Sequence, residues 1–299
     1  MTTVSVAVPR KGRPLEAVLD RLAAETGREG LADDISSTLR YEKAVTKGRQ
    51  EPDDGVYERL ATYSDLETLD EPEYTLVRDE RNGMPRRVVF DSVTVPLTDG
   101  VDLRLVGREE PFRALRKHEV ALGFDSADLV LEEVVQLREE PLTDLAGVNE
   151  RIDPRDTDVR LVAGLGDTVW HSLLATREAT ADWDGDLDRS FVSHYEGQLC
   201  ISPRYERLVE AVLGTTALDG IEFTYPGDVA EEEAAIAETG VGVYLTVTGS
   251  TARDHGLTVG ERLFPSETVL LENLAERSQA VDTVRAVLGT ETETELPAQ

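Results

Sequence analysis

One local plan recurs along this chain and limits what it can fold into. A short apolar run with strand character enters a turn of glycine, proline or hydroxyl residues, and a stripe of helical period follows. Val4–Val8 (V-S-V-A-V) alternates as a strand and leaves through Pro9-Arg10-Lys11-Gly12-Arg13. Pro14 then stands at a first helical position, with Leu15, Val18, Leu19 and Leu22 on one face and a stop near Gly27. Ala121–Phe124 is a short buried strand, and Asp125-Ser126 caps a helix from Ala127 to about Leu137. Gln198–Ile201 precedes Ser202, a cap for a helix starting at Pro203 with Tyr205, Leu208, Val209 and Val212 on its face, ended by Gly214. Gly242–Val247 runs into Thr248-Gly249-Ser250-Thr251 and a short helix stopped by Gly256. Strands alternating with helices call for an α/β fold.

The last of these units has chemistry in it. A strand, a glycine turn with three hydroxyls and a helix start together offer free backbone N–H groups and a close approach for phosphate. An ordinary turn with Thr251 as N-cap is the competing reading. Lys11-Gly12-Arg13 has the same two readings, a ligand turn at the carboxyl end of a first strand or a solvated basic turn.

Composition sets the environment. Asp and Glu number 60 against 31 Lys and Arg, a formal charge of -29 over 299 residues. Only four of the cations are lysines: Lys11, Lys43, Lys47 and Lys117. Carboxylates that stay hydrated while salt screens their repulsion fit a salt-rich, haloarchaeal-type cytoplasm. No basic cluster in the sequence is suited to neutralising nucleic-acid phosphates. No apolar run reaches membrane-spanning length, and no secretory signal opens the chain. Cys200 is the single cysteine, read as a small buried strand residue, so there is no disulfide framework. His118, His171, His194 and His255 lack metal-ligand spacing, and no metal-binding residue is assigned.

Elsewhere the patterns predict strands at Arg87–Val95, Asp102–Val106, Asp156–Ala163 and Ile221–Tyr225. Helices are expected at Glu109–Leu115, with Phe112 and Leu115 inward, and at Ser278–Leu288. Gly164–Asp167 is a turn, Thr168–Arg177 a helix with Trp170 and Leu174 inward, and Thr180–Gly197 a surface loop. Asn82-Gly83 marks a turn, Asp228 caps an acidic helix, and the last ten residues form a disordered acidic tail.

T-G-S-T-A-R-D-H-G-L resembles the phosphoribosyl-diphosphate loop of the ATP phosphoribosyltransferase family, T-G-x-T-L-x-x-N-G-L. V-A-V-P-R-K-G-R-P-L-E is similar to the family's opening, (I/V)-A-(L/V)-P-K-G-R-L-x-E, with one extra residue before the lysine. The stretch from Arg108 to Glu133 resembles R-x-x-D-I-P…A-D-L-G-I-T-G-x-D-x-L-x-E, with Arg108, Pro111, Gly123, Asp128 and Glu132 matching. I-S-P-R-Y-E-R-L resembles I-A-T-K-Y-P-x-L. These blocks cover about a third of the chain in the family's order, and the 32–101 region reads as an insertion.

The resemblance implies a two-lobe, type II periplasmic-binding-protein-like fold with an interlobe cleft, limited to the catalytic part. Lobe one would be 1–148 plus 261–299, and lobe two 149–260 with the phosphate loop. Substrates would be phosphoribosyl diphosphate and ATP or another nucleotide-like ligand, with Mg²⁺ on the diphosphate and a homo-oligomer or partner subunit in the assembly. Lys11, Gly12, Arg13 and Arg108 would hold substrate phosphates, Thr248, Gly249, Ser250 and Thr251 the 5-phosphate, and Ser202 and Arg204 would reach the cleft. One departure stands out. The family's two aspartates before the loop fall here on Gly240 and Tyr244, removing negative charge from where the ribose becomes cationic. Glu238 is a substitute only out of register. An active transferase and a catalytically impaired paralogue that binds a phosphorylated ligand or a partner subunit are therefore both carried forward.

Overall fold

The computed structural model describes residues 2–64, 68, 70–78, 86–97, 100–227 and 232–289. The Asn82-Gly83 turn, the Asp228 cap and the acidic tail lie outside them. In chain order the elements are β1 (Thr2–Pro9), α1 (Gly12–Thr26), α2 (Glu29–Thr46), α3 (Val56–Tyr63), β2 (Glu73–Val77), β3 (Arg87–Pro96), β4 (Val101–Arg108), α4 (Pro111–Arg116), β5 (Leu122–Ser126) and α5 (Ala127–Glu133). There follow β6 (Val159–Gly164), β7 (Val169–Thr176), α6 (Arg189–His194), β8 (Gly197–Ile201), α7 (Glu206–Leu213), β9 (Ile221–Thr224) and α8 (Glu232–Thr239). The chain closes with β10 (Val241–Thr246), α9 (Ser250–Asp254), β11 (Leu257–Ser266), β12 (Thr268–Asn273) and α10 (Gln279–Leu288).

The fold is α/β, with two sheets in two compact units. The first unit comprises Met1–Asp125, Asp158–Asp167 and Thr268–Gln299; the second comprises Ser126–Thr157 and Thr168–Glu267. Against the sequence boundaries at 148/149 and 260/261, the chain thus changes unit at 125/126, 157/158, 167/168 and 267/268.

The first sheet runs β2-β3-β4-β1-β5-β12-β6 and the second β11-β7-β10-β8-β9. Each contains the same winding. β1 passes through α1–α3 and the antiparallel strands β2 and β3 to its parallel neighbour β4, and the chain returns across β1 to β5 on the other side. In the second sheet β8 lies between its parallel neighbours β9 and β10, entered in the same order. The edge between first and third strand is in each case where successive crossovers part in opposite directions, the crevice at which α/β sheets hold ligands.

β1 is flanked by parallel strands, so its alternation gives way to an apolar run with Val6, Ala7 and Val8 all buried. The first core packs Leu15, Val18, Leu19 and Leu22 of α1 against Val6, Phe90, Leu105, Leu122, Phe124 and Leu288. Each fully buried leucine contributes roughly 1.5–3 kcal/mol by removing its side chain from water. The 32–101 region supplies α2, α3, β2 and β3, with β3 antiparallel to β4.

The structure corrects several local expectations. Thr168–Arg177 is not a helix: β7 is the strand between β10 and β11. His171–Ala175 are all buried, so no alternation shows, and Trp170 with Leu174 mimics an i, i+4 stripe. α1 begins at Gly12, two residues before Pro14, and α5 ends at Glu133. α7 begins at Glu206 rather than Pro203, because Tyr205 N–H donates to the Ser202 carbonyl at 2.9 Å and makes 202–205 a turn. The 180–197 stretch contains α6, whose N-cap Asp188 accepts from the N–H groups of Ser190 and Phe191.

Candidate functional site

The second unit gathers four of the expected loop residues and two more beside them. β10 delivers Thr248–Thr251, and its parallel neighbour β8 delivers Ser202 and Arg204, so both turns leave carboxyl ends at the crevice of this sheet. Gly249 takes φ 68°, a left-handed value that favours glycine, and serves as N-cap of α9. Thr251 is consequently the second helical residue and not the cap. A Cβ on Gly249 would come within 2.7 Å of Val259 Cγ2. The loop is tied from below, since Arg253 Nη2 donates to the Thr248 carbonyl at 2.9 Å. Thr248 and Ser250 hydroxyls lie 3.1 Å apart. Ser202 is buried and Arg204 lies over the Tyr205 ring at 5.9 Å.

The first unit gathers the other set. Lys11 is the N-cap of α1 and makes no side-chain cap; Gly12 follows with φ 79°. Arg108 ends β4 opposite Pro9 of β1, which puts it beside the same turn. Lys11 Nζ stands 3.8 Å from Glu109 and Arg108 Nη2 3.8 Å from Glu119, while the buried Arg108 Nε makes no hydrogen bond. Arg13 turns to Asp167, donating to its carbonyl and standing 3.7 Å from its carboxylate. Asp167 also accepts from the N–H and hydroxyl of Thr268 at 2.7 and 2.9 Å, a fixed counter-charge that no local pattern indicates.

Two residues that match the family block are fixed within the second unit. Asp128 is buried against His171 and Ser266, and Glu132 Oε1 accepts from Leu208 N–H at 2.7 Å in the first turn of α7. Burial holds the Glu132 carboxyl above the usual range. Gly123 lies where a Cβ would meet Leu115 Cδ1 at 2.5 Å and the Ala7 carbonyl at 3.1 Å, so β5 and α4 close up over it.

The positions of the absent aspartates are also defined. Gly240 turns the chain from α8 into β10 with φ 106°. Tyr244 is half-buried on β10, and its phenol is pushed up to about 12, first by burial and then by the carboxylates of Glu232 and Glu233. Glu232 also hydrogen-bonds the phenol. The acidic group beside this strand therefore comes from the start of α8, six residues before Glu238. Among the described residues no cluster of three or more His, Cys, Asp or Glu side chains could hold a metal ion. Cys200 is buried, and burial raises its thiol. No helix among the described residues is long and apolar enough to cross a membrane.

Comparison with known proteins gives a family and some distant structural likenesses. The model of "Halobacterial ATP phosphoribosyltransferase" matches residues 1–298. No curated protein matches the sequence. Among solved structures, the ATP phosphoribosyl transferase (HisG:HisZ) complex from Thermotoga maritima is 14% identical with a TM-score of 0.36, over 79% of this chain and 91% of that one. YhfZ from Shigella flexneri is 11% identical with a TM-score of 0.44, over 96% and 84%. The regulatory domain of OxyR2 from Vibrio vulnificus is 14% identical with a TM-score of 0.32, over 63% and 79%. The family match, spanning all but the final residue, is of a different kind: this chain belongs to the halobacterial ATP phosphoribosyltransferase family.

Proposed function

We propose that the chain transfers a 5-phosphoribosyl group from phosphoribosyl diphosphate to ATP, the first step of histidine biosynthesis. The family match over residues 1–298 carries this reading, and the turn at Thr248–Thr251 supports it locally. In this reading a nitrogen of ATP forms the new bond to the ribose C1 as the bond to diphosphate breaks. Thr248, Ser250 and Thr251 hydroxyls and the backbone at Gly249 grip the 5-phosphate, while Ser202 and Arg204 flank it. Lys11, Gly12, Arg13 and Arg108 hold phosphates on the first unit, Arg13 exchanging Asp167 for its ligand. The described residues form no metal cradle, so Mg²⁺ is proposed only as part of the substrate, carried on the diphosphate, which it charge-neutralises. The cytoplasm and a homo-oligomeric or partnered assembly complete the proposal.

A second reading, phosphorylated-ligand or partner-subunit binding without turnover, is favoured by one observation: a phenol stands at Tyr244 where cation stabilisation calls for a carboxylate. The two separate in one pair of measurements in molar KCl with Mg²⁺. Diphosphate release with ATP and phosphoribosyl diphosphate is expected, as is tight binding of the latter by calorimetry. Thr251→Ala should weaken that binding about tenfold, the loss of one charge-assisted hydrogen bond. Binding without release selects the second reading, and no binding reduces the loop to a capped turn.

A further inference from the structure

Arg262 is an exposed guanidinium in a chain with 60 carboxylates, yet among the described residues no carboxylate holds it. Its Cζ lies over the ring of Trp170 instead, 5.6 Å from the centroid, and the indole is half-buried. A cation on the face of an indole is held at contact range, so it outlasts salt that screens charges further apart.

Strand register places this pair beside the Thr248–Thr251 turn. Trp170 of β7 pairs with Thr246 of β10 on one side and Pro265 of β11 on the other, and Arg262 pairs with Ser172. Trp170 and Ser172 are two residues apart and so share a face of the sheet. Ser172 and Thr246 are both buried with their hydroxyls 2.6 Å apart, which fastens the strand of Trp170 to the strand that enters the turn. From Thr246 to Thr248 is two residues, about 7 Å of extended chain, comparable with the length of a ribose. Val247 stands between them at 72% exposure, the most exposed large apolar side chain among the described residues. Ser202 and Arg204 occupy the β8 flank of β10, and the indole with its guanidinium occupies the β7 flank.

We infer that Trp170 and Arg262 form the platform on which the base of the nucleotide acceptor stacks, one ribose away from the 5-phosphate. The inference rests on the reading of this chain as a transferase acting on ATP, and it assigns the acceptor's base to two residues that have no other role. Bases stack on aromatic rings and on guanidinium planes alike. Arg262 adds N–H donors for the acceptor nitrogens of a purine. Both are positioning residues, since neither meets the bonds that change.

The chain has two tryptophans, Trp170 and Trp183, so Trp183→Phe leaves Trp170 as the sole indole reporter. In molar KCl, ATP should quench its emission saturably and inorganic tripolyphosphate, which has no base, should not. Trp170→Ala and Arg262→Gln should each weaken ATP binding about tenfold by calorimetry, the loss of one stacking partner, while Trp170→Phe retains it. Both weakened variants should raise the KM for ATP and leave the KM for phosphoribosyl diphosphate and the circular dichroism unchanged, a split that a purely structural role would not give. ATP binding that leaves the Trp170 emission unchanged overturns the inference, as do equal quenching by tripolyphosphate, an ATP affinity unmoved by Arg262→Gln, and absence of ATP binding. Quenching by ATP without diphosphate release defeats the transferase reading alone. Release with a KM for ATP unmoved by either substitution defeats this inference alone.

Discussion

In the second unit His171 Nε2 lies 3.1 Å from Asp128 Oδ1, and both side chains are buried. Ser266 Oγ donates to the other carboxylate oxygen at 2.8 Å, so Asp128 is held from two strands at once. His171→Leu leaves one oxygen of a buried carboxylate without its partner. We expect a loss of about 2–3 kcal/mol in denaturant unfolding at fixed KCl, the cost of an unsatisfied charged hydrogen bond. Asp128→Asn should lose less, because the amide oxygen still accepts from one neighbour.

A second buried network predicts a larger effect. Arg59 Nε and Nη2 donate to the two Glu42 oxygens at 2.7 and 2.9 Å, and the Tyr63 hydroxyl donates to the same carboxylate at 2.9 Å. Arg59→Leu strands Glu42, which is 2% exposed, and should cost about 3–5 kcal/mol. Replacing Glu42, Arg59 and Tyr63 together with apolar residues should cost less than Arg59→Leu alone, measured by the same unfolding curves.

Alkaline pH should destabilise the fold. Tyr63, Tyr74 and Tyr244 phenols are each pushed up from 10.0 to about 12, chiefly by burial. Between those values the unfolded chain has released phenolic protons that the folded chain keeps, so unfolding is favoured as pH rises. The contribution is intact below pH 10 and disappears on approaching 12. Thermal midpoints recorded beside the ultraviolet phenolate signal check it; a midpoint flat across that window contradicts it.

The charge of -29 opposes compaction wherever it is unscreened. Circular dichroism across a KCl series should show structure gained toward molar salt. A full native signal in dilute buffer would end the salt-dependent reading.

Gly249→Val would crowd the turn that approaches the proposed 5-phosphate. It would also disturb the fold. The residue sits at φ 68°, and its Cβ would meet Val259 Cγ2 at 2.7 Å, so the substitution strains the backbone and the α9–β11 packing together. Strain of this kind costs of order 1–3 kcal/mol, and unfolding curves of Gly249→Ala should already show it.

The fold was legible where the pattern is local. Ser126 acts as an N-cap as expected, and Gly27 and Gly214 stop their helices at positive φ. β7 was hidden because a strand buried on both faces has no alternation to read, and its Trp170/Leu174 spacing copies a helix. Pro14 and Pro203 misplaced two helix starts, since proline fits the first turn without fixing which residue opens it. Within the site, the positions of Thr248–Thr251, Lys11 and Arg108 at carboxyl strand ends follow from the strand–turn–helix pattern. Asp167 does not, because it meets Arg13 from a segment distant in sequence.

The order of strands in the first sheet has a consequence for synthesis. β12, from Thr268–Asn273, occupies the place between β5 and β6, and both of those are made more than a hundred residues earlier. Until the ribosome has released that strand, β5 presents an unpaired edge and β6, which joins the sheet through β12, has no strand to pair with; exposed edges recruit other chains. The late strand is a keystone, and the nascent chain is at its most aggregation-prone in the interval before it arrives.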